Sequence, residues 1–343
     1  MDALTRSAGV AVIWASAFTH LPGVADIAAQ PSVTSGPVEL RPGVVVDPAR
    51  RLVYMMNPRG GVDALRLERG DLMWHSDQAA RPVTVAGDLV VAQAEVPRPG
   101  NDLQLRLLDA RTGRSRRSAT HVLPQGLRAT VVGDLAGSFD LQANASGTDA
   151  TFGWEFVERP VQGAKPGALD VGVSAADRTA AEAQAAPGAE LSTRTGAFRL
   201  DLASGRSADA TPGEKIAFVA RRADLPANAR VSAVTGQQFA SADGRHVLAS
   251  ERIADDSVWD KYRWTIFEAG TGRPLGSILD YRSHAPFVVV GTSIIYETGP
   301  FERRTDEKVV TEPLRLRSVN LGTAAQQWTR EIRDTTYRGP FPG

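Results

Sequence analysis

Residues 44–74 read VVVDPARRLVYMMNPRGGVDALRLERGDLMW, and this stretch decides the fold class. Four short runs rich in aliphatic and aromatic residues, 44–46, 52–56, 62–67 and 72–74, are separated by turn residues at 58–61 and 68–71. In Ala64–Leu65–Arg66–Leu67 apolar and polar side chains alternate, which puts one face of a strand toward a core and the other toward water. The 3.6-residue spacing of an amphipathic helix is missing. The unit therefore reads as four β-strands joined by tight turns.

The same grammar returns along the chain. A second copy has 83–85, a turn at 87–88, 89–93, 103–108 and the turn Asp109–Ala110–Arg111–Thr112–Gly113. A third has 139–141, a turn near Gly147 and 151–157, and its second half follows only at 197–202 with a turn at 203–205. A fourth has 238–240, 246–250, 264–267 and the turn Glu268–Ala269–Gly270–Thr271–Gly272. A fifth has 287–290, 294–297, 314–319, a turn at 321–323 and 326–328. Glycine supplies the positive φ of each hairpin turn, and Asp or Asn caps it through a side-chain hydrogen bond. A four-stranded sheet has two faces to cover. Radial stacking of several sheets buries them, and ring closure protects the edges. The expected fold is all-β, a β-propeller of four-stranded antiparallel blades.

Segments 62–74, 103–114, 198–206, 264–275 and 314–328 share the character LYALDAxTGxxLW, and together they resemble the quinoprotein-type (PQQ-like) β-propeller repeat over roughly residues 38–332. The resemblance implies a tryptophan near the end of each repeat that docks on a neighbouring blade. Trp74 and Trp328 keep it, whereas Arg117, Ala208 and Gly276 stand at the equivalent places. Five repeats are readable. A blade of about 40–45 residues leaves room for up to seven, with degenerate copies near 129–135 or 216–234. The resemblance also raises redox catalysis with pyrroloquinoline quinone (PQQ) and Ca²⁺. Such enzymes commonly stack the quinone on a vicinal disulfide, and this chain has no cysteine. No cofactor and no metal are expected.

Composition narrows the function classes. Lys+Arg and Asp+Glu are 39 each over 343 residues, so the net charge is zero. A sequence-independent nucleic-acid binder needs a basic surface to release counterions, so no nucleic-acid partner is expected. Lysine occurs only at 165, 215, 261 and 308; the arginine bias, with abundant Ala and Gly, matches the codon usage of GC-rich bacterial genomes. The absence of cysteine excludes disulfides, thiolate metal sites, a Cys nucleophile and a lipid-modified N-terminal Cys.

Residues 1–30 carry Arg6, an apolar run at 8–18 and the small-residue stretch 25–29, the order of a secretory signal peptide; a mobile tail is the alternative. The run is too short to span a bilayer, which takes about 20 residues. A linker at 31–37 leads into a single propeller over 38–343, interrupted at 161–194 by an Ala-, Gly- and Pro-rich insertion, read as a disordered surface loop or a lid.

Two function classes follow. The first is a non-catalytic propeller of the bacterial cell envelope, secreted or periplasmic, presenting loops to a protein or polymer partner. Its candidate contacts are Trp259, Tyr262, Tyr281 and Phe301. The resemblance brings in the propeller subunit of the outer-membrane β-barrel assembly machinery as an analogue for the scaffold role. The second is a propeller hydrolase or lyase in which His246 and His284 converge with carboxylates on the central channel. The acid pairs Asp255–Asp256 and Asp306–Glu307, with Arg303–Arg304 beside the latter, read as solvated loops. No HExxH pair, phosphate loop or GxSxG elbow is present.

Overall fold

The computed structural model describes residues 40–95, 100–131, 137–158, 192–210, 237–253, 261–304 and 309–334. Residues 1–39, and with them the proposed signal peptide and linker, lie outside the described residues.

Twenty-two strands are described, and twenty of them form five four-stranded antiparallel sheets. Blade 1 is β1 (Val44–Asp47), β2 (Leu52–Met56), β3 (Val62–Arg66) and β4 (Leu72–Ser76). Blade 2 is β5 (Arg81–Ala86), β6 (Leu89–Gln93), β7 (Asp102–Asp109) and β8 (Ser115–Val122). Blade 3 is β9 (Gly137–Ser146), β10 (Asp149–Glu158), β11 (Thr193–Asp201) and β12 (Ser207–Asp209). Blade 4 is β13 (Gln237–Ala240), β14 (His246–Ile253), β15 (Lys261–Glu268) and β16 (Pro274–Asp280). Blade 5 is β17 (Phe287–Val290), β18 (Ser293–Thr298), β21 (Arg315–Asn320) and β22 (Gln326–Glu331), with a separate hairpin, β19 (Phe301–Arg304) and β20 (Val309–Glu312), between its second and third strands.

The turn between the third and fourth strands has the same hydrogen bonds in every blade. Its first residue donates its N–H across the turn, from Arg66 to Asp71 O, Asp109 to Arg114 O, Asp201 to Arg206 O, Glu268 to Arg273 O and Asn320 to Ala325 O. Its second residue ties it to the turn between the first two strands: Leu67 to Arg51 O, Ala110 to Asp88 O, Leu202 to Thr148 O, Ala269 to Arg245 O and Leu321 to Thr292 O. The first side chain caps the turn where it is Asp or Asn. Asp109 Oδ1 accepts from the Arg111 and Thr112 amides at 3.0 and 2.9 Å, and Asn320 Oδ1 from Gly322 and Thr323 at 2.9 and 3.1 Å. The fifth residue is left-handed: Gly70, Gly113, Gly205 and Gly272 lie at φ 67–74°, and Ala324 takes the place at φ 55°.

Those turns are also the docking points between blades. Trp74 of blade 1 lies over Gly113 of blade 2, where a Cβ would come within 2.5 Å of the indole, and its Nε1–H donates to Ala110 O at 3.1 Å. Trp328 of blade 5 lies over Gly70 of blade 1 in the same way and donates to Leu67 O at 2.7 Å. Arg117 does the same for blades 2 and 3. Its stem lies against Gly205, and Nη1 donates to Leu202 O at 2.9 Å. A guanidinium on an aliphatic stem thus fills the tryptophan position, with apolar contact below and a donor at the tip. Gly276 of blade 4 meets the turn of blade 5 directly: a Cβ there would sit 2.0 Å from Leu321 O. Trp74, Arg117, Gly276 and Trp328 all stand beside a ladder irregularity between third and fourth strands, whereas Ala208 pairs with Arg199 in an unbroken ladder.

Among the described residues, four seams bury the core. Tyr54, Val62 and Trp74 of blade 1 pack with Val90, Ala92 and Leu108 of blade 2. Leu103, Leu105 and Leu107 of blade 2 pack with Phe139, Phe152 and Phe198 of blade 3. Leu248, Trp264 and Ile266 of blade 4 pack with Phe287, Ile294 and Tyr296 of blade 5. Ile295, Leu316 and Trp328 of blade 5 pack with Val53, Met55 and Leu65 of blade 1, so the last blade returns to the first. The other face of blade 4 carries its own buried set, Val247, Ala249, Phe267 and Ala269. Residues 211–236, which join blades 3 and 4, lie outside the described residues.

The structure adds to and corrects the sequence reading. Strands β8, β12 and β16 and the hairpin β19–β20 were not expected; Arg303 and Arg304 are strand residues of that hairpin. Thr193 and Arg194, assigned to the insertion, begin β11. The rest of the insertion from 161 to 191, the positions 132–135 and 216–234 offered for further blades, and the acid pairs lie outside the described residues. Residues 129–131 form no strand.

Candidate functional site

The strand order fixes two unlike faces. Every blade is wound in consecutive antiparallel order, so its first and third turns emerge at one end, and its middle turn and the link to the next blade emerge at the other. At the first end all ten connections are two to five residues long. At the second end stand the connections 94–101, 123–136, 159–192, 210–236, 254–260 and 299–314, which hold every long break between strands. The second end is the candidate functional face.

Ion pairs brace this face. Arg41, just before β1, donates from its backbone N–H to Glu297 Oε1 and from Nε to Glu297 Oε2 at 2.8 Å, and from Nη1 to Asp334 Oδ1 at 3.4 Å. Glu297 is only 2% exposed, and Arg282 donates to its carbonyl. Beyond β22, Arg333 makes a two-pronged pair with Glu95 of blade 2 at 2.8 and 2.9 Å, which holds the Glu95 carboxyl below the usual carboxylate range. The chain's two described ends are thereby fastened to blades 5 and 2 on one face.

On the same face Asp63 links Asn57 and His75: Asn57 Nδ2 donates to Oδ2 at 2.8 Å, and His75 Nδ1 meets Oδ1 at 2.6 Å. The sequence reading gave His75 no role, since only the β3–β4 register brings Asp63 opposite it.

The two histidines offered for catalysis do not converge. His246 opens β14 at the tight-turn end, beside Ser241 and Glu268. His284 follows β16 at the opposite end and stacks on Phe239 at 4.0 Å and 11°. Antiparallel winding sets them a full strand length apart, which corrects the expectation that they meet. Among the described residues no group of three or more His, Cys, Asp or Glu gathers as a metal site. The first strands, which meet side by side in blades 1 to 3, carry half-buried Val44, Val45, Val46, Val83, Thr84 and Val85.

The aromatic candidates separate as well. Tyr281 ends blade 4 on the long-connector face and is 65% exposed. Tyr262 of β15 is half-buried against the core of blades 4 and 5. Phe301 opens β19, paired with Glu312. Trp259 lies outside the described residues. Val122 and Leu279 join Tyr281 as exposed apolar residues near the long-connector ends of outer strands.

Burial pushes the imidazoles of His121, His246 and His284 below the ordinary histidine value; Asp209 opposes this for His121, and Asp243 and Glu268 oppose it for His246. His121 is buried against Phe198 with rings 4.0 Å apart. Below about pH 6.5 the unfolded chain binds protons that the folded one refuses. The stability these groups contribute is complete above that pH and is lost as pH falls through the lower folded values. Urea midpoints measured from pH 7.5 to 5.5 should fall, and His121→Phe should flatten the slope. A midpoint independent of pH in this window contradicts the burial argument.

Sheet order, register and the four seams define the class: a β-propeller with one tight-turn face and one long-connector face. No family model matches the chain, and no curated protein matches it. Solved structures similar to it include BamB from Moraxella catarrhalis, at 13% identity and TM-score 0.26 over 85% of this chain and 76% of that one. TolB from Acinetobacter baumannii is 11% identical at TM-score 0.25, over 88% of this chain and 56% of that one. The Neurospora crassa Pan2 WD40 domain is 9% identical at TM-score 0.26, over 87% and 66%. Among the described residues no helix is long and apolar enough to cross a membrane.

Proposed function

We propose that the chain is a non-catalytic propeller of the PQQ-like repeat type that presents its long-connector face to a protein or polymer of the bacterial cell envelope, without a cofactor. One observation carries this reading. The first and third turns of every blade, at one end, are all two to five residues long, and every connection longer than five residues lies at the other end, beside the short links 57–61 and 77–80. Packed blades with long connections on one face suit a binding scaffold. The envelope location rests on the order of segments in residues 1–29, a positive start, an apolar run and small residues.

The test is capture from the envelope fraction of the source bacterium with the tagged full chain. Tyr281→Arg combined with Val122→Arg should cut recovery of the partner about tenfold. Thr112→Arg with Arg245→Glu, on the tight-turn face, should leave it unchanged. Equal recovery with both pairs, or loss only with the second, contradicts the reading.

A further inference from the structure

We infer that the seam between blades 2 and 3 holds a receptor for a carboxylate with an N–H on the adjacent carbon, as at the end of a peptide chain, built from Arg81 and Gln93. Arg81 opens β5 and is 2% exposed. Its Nη1 donates to Phe139 O of blade 3 at 3.3 Å, while Nε and Nη2 are buried with no hydrogen-bond partner among the described residues. Gln93 ends β6 and is fully buried. Its Nε2 donates to Ala129 O at 3.3 Å, while Oε1 is buried with no partner among the described residues.

These groups belong to one place. Arg81 and Gln93 are direct cross-strand partners. Directly opposed side chains share a sheet face, with Cβ atoms about 4.5–5.5 Å apart. Gln93 is in turn opposite Leu105, which packs on blade 3. Both residues stand at the long-connector end of their strands. Gly43 leaves room for Met56, since a Cβ there would lie 2.4 Å from Met56 Sδ, and the arginine stem runs beside it, with Cγ at a contact distance of 3.5 Å from that Cβ position.

The chemistry follows from the donor set. A buried guanidinium is costly unless an anion or a full set of acceptors faces it. Here desolvation lowers the Arg81 pKa to about 10, with only the charge of Asp140 opposing. The described ion pairs of Arg41, Arg50, Arg116, Arg282 and Arg333 give each of those a carboxylate within 3.4 Å; none involves Arg81. The edge formed by Nε and Nη2 is the one that takes a carboxylate with two parallel hydrogen bonds. Beside it, Gln93 Oε1 is a bare acceptor and calls for a donor. A carboxylate with a neighbouring N–H satisfies both at once, whereas a simple anion satisfies only the arginine.

The experiment is thermal unfolding of the full chain in N-acetylglycine, sodium acetate and sodium chloride at equal ionic strength. N-acetylglycine should raise the midpoint by about 2–4 °C over chloride at saturation, and acetate should raise it less. Gln93→Glu supplies an internal carboxylate, so it should raise the midpoint in chloride and abolish the N-acetylglycine response. Arg81→Met should also lose the response. An N-acetylglycine midpoint equal to that in chloride overturns the proposal, as does an undiminished response in Gln93→Glu. Neither readout depends on envelope capture, so this site and the scaffold reading stand or fall separately.

Discussion

Trp328→Ala should lower the unfolding free energy by about 3–5 kcal/mol, the usual loss for a buried tryptophan truncated to alanine. Three contributions converge on this side chain. It is 6% exposed within the cluster that joins blade 5 to blade 1. Its indole N–H holds Leu67 O at 2.7 Å, and its removal leaves that acceptor without this donor. Its ring also covers Gly70, where a Cβ would lie 2.6 Å from the indole at a backbone φ of 67°. Gly70→Ala is therefore destabilising in its own right. In the double variant the clash disappears with the ring, so the combined loss should be smaller than the sum. Additive losses in guanidinium unfolding would show that the two residues do not meet. A loss for Trp328→Ala under about 1 kcal/mol would show that the last blade does not dock on the first.

Glu297→Ala is the second large effect, at about 2–3 kcal/mol. Glu297 is almost wholly buried, and its carboxylate takes both the backbone N–H and the Nε of Arg41. Removing one partner of such a pair leaves the other desolvated without compensation, which costs up to about 3–5 kcal/mol for a fully buried pair. Arg41 keeps 26% of its side chain in water, and that lowers the figure. Glu297→Gln, which retains an acceptor for the backbone N–H, should cost less. Salt should matter little to the buried contact and more to the exposed pair of Arg333 with Glu95. Equal urea midpoints for wild type and Glu297→Ala would mean that this pair does not fasten the ring.

The sequence made the blades legible where turn chemistry and alternation agree. All four strands of blade 1 fall where the 44–74 stretch put them, because Gly and Asx turns punctuate alternating apolar runs. Three of the strands it left out, β8, β12 and β16, are the outer strands of their blades; most of their side chains are exposed or half-buried, so no apolar run marks them. Arg117 is the sharper lesson. The chain departs from tryptophan there, which reads as a lost docking contact, yet the arginine stem and tip make the same one. The site was hidden for a similar reason. Arg81 before a Pro–Val–Thr–Val run reads as a solvated strand end, and only the seam with blade 3 reveals that it is buried. His246 and His284 show the reverse error: two histidines near strand ends invite convergence, but the winding sends them to opposite faces.

The central claim is that the long-connector face is the binding face, and site-specific photo-crosslinking in living cells tests it most directly. A benzophenone side chain at Tyr281 or Val122 should give discrete adducts of higher mass. The same group at Thr112 or Arg245, on the tight-turn face, should give none. Adducts confined to Thr112 and Arg245 would contradict the account.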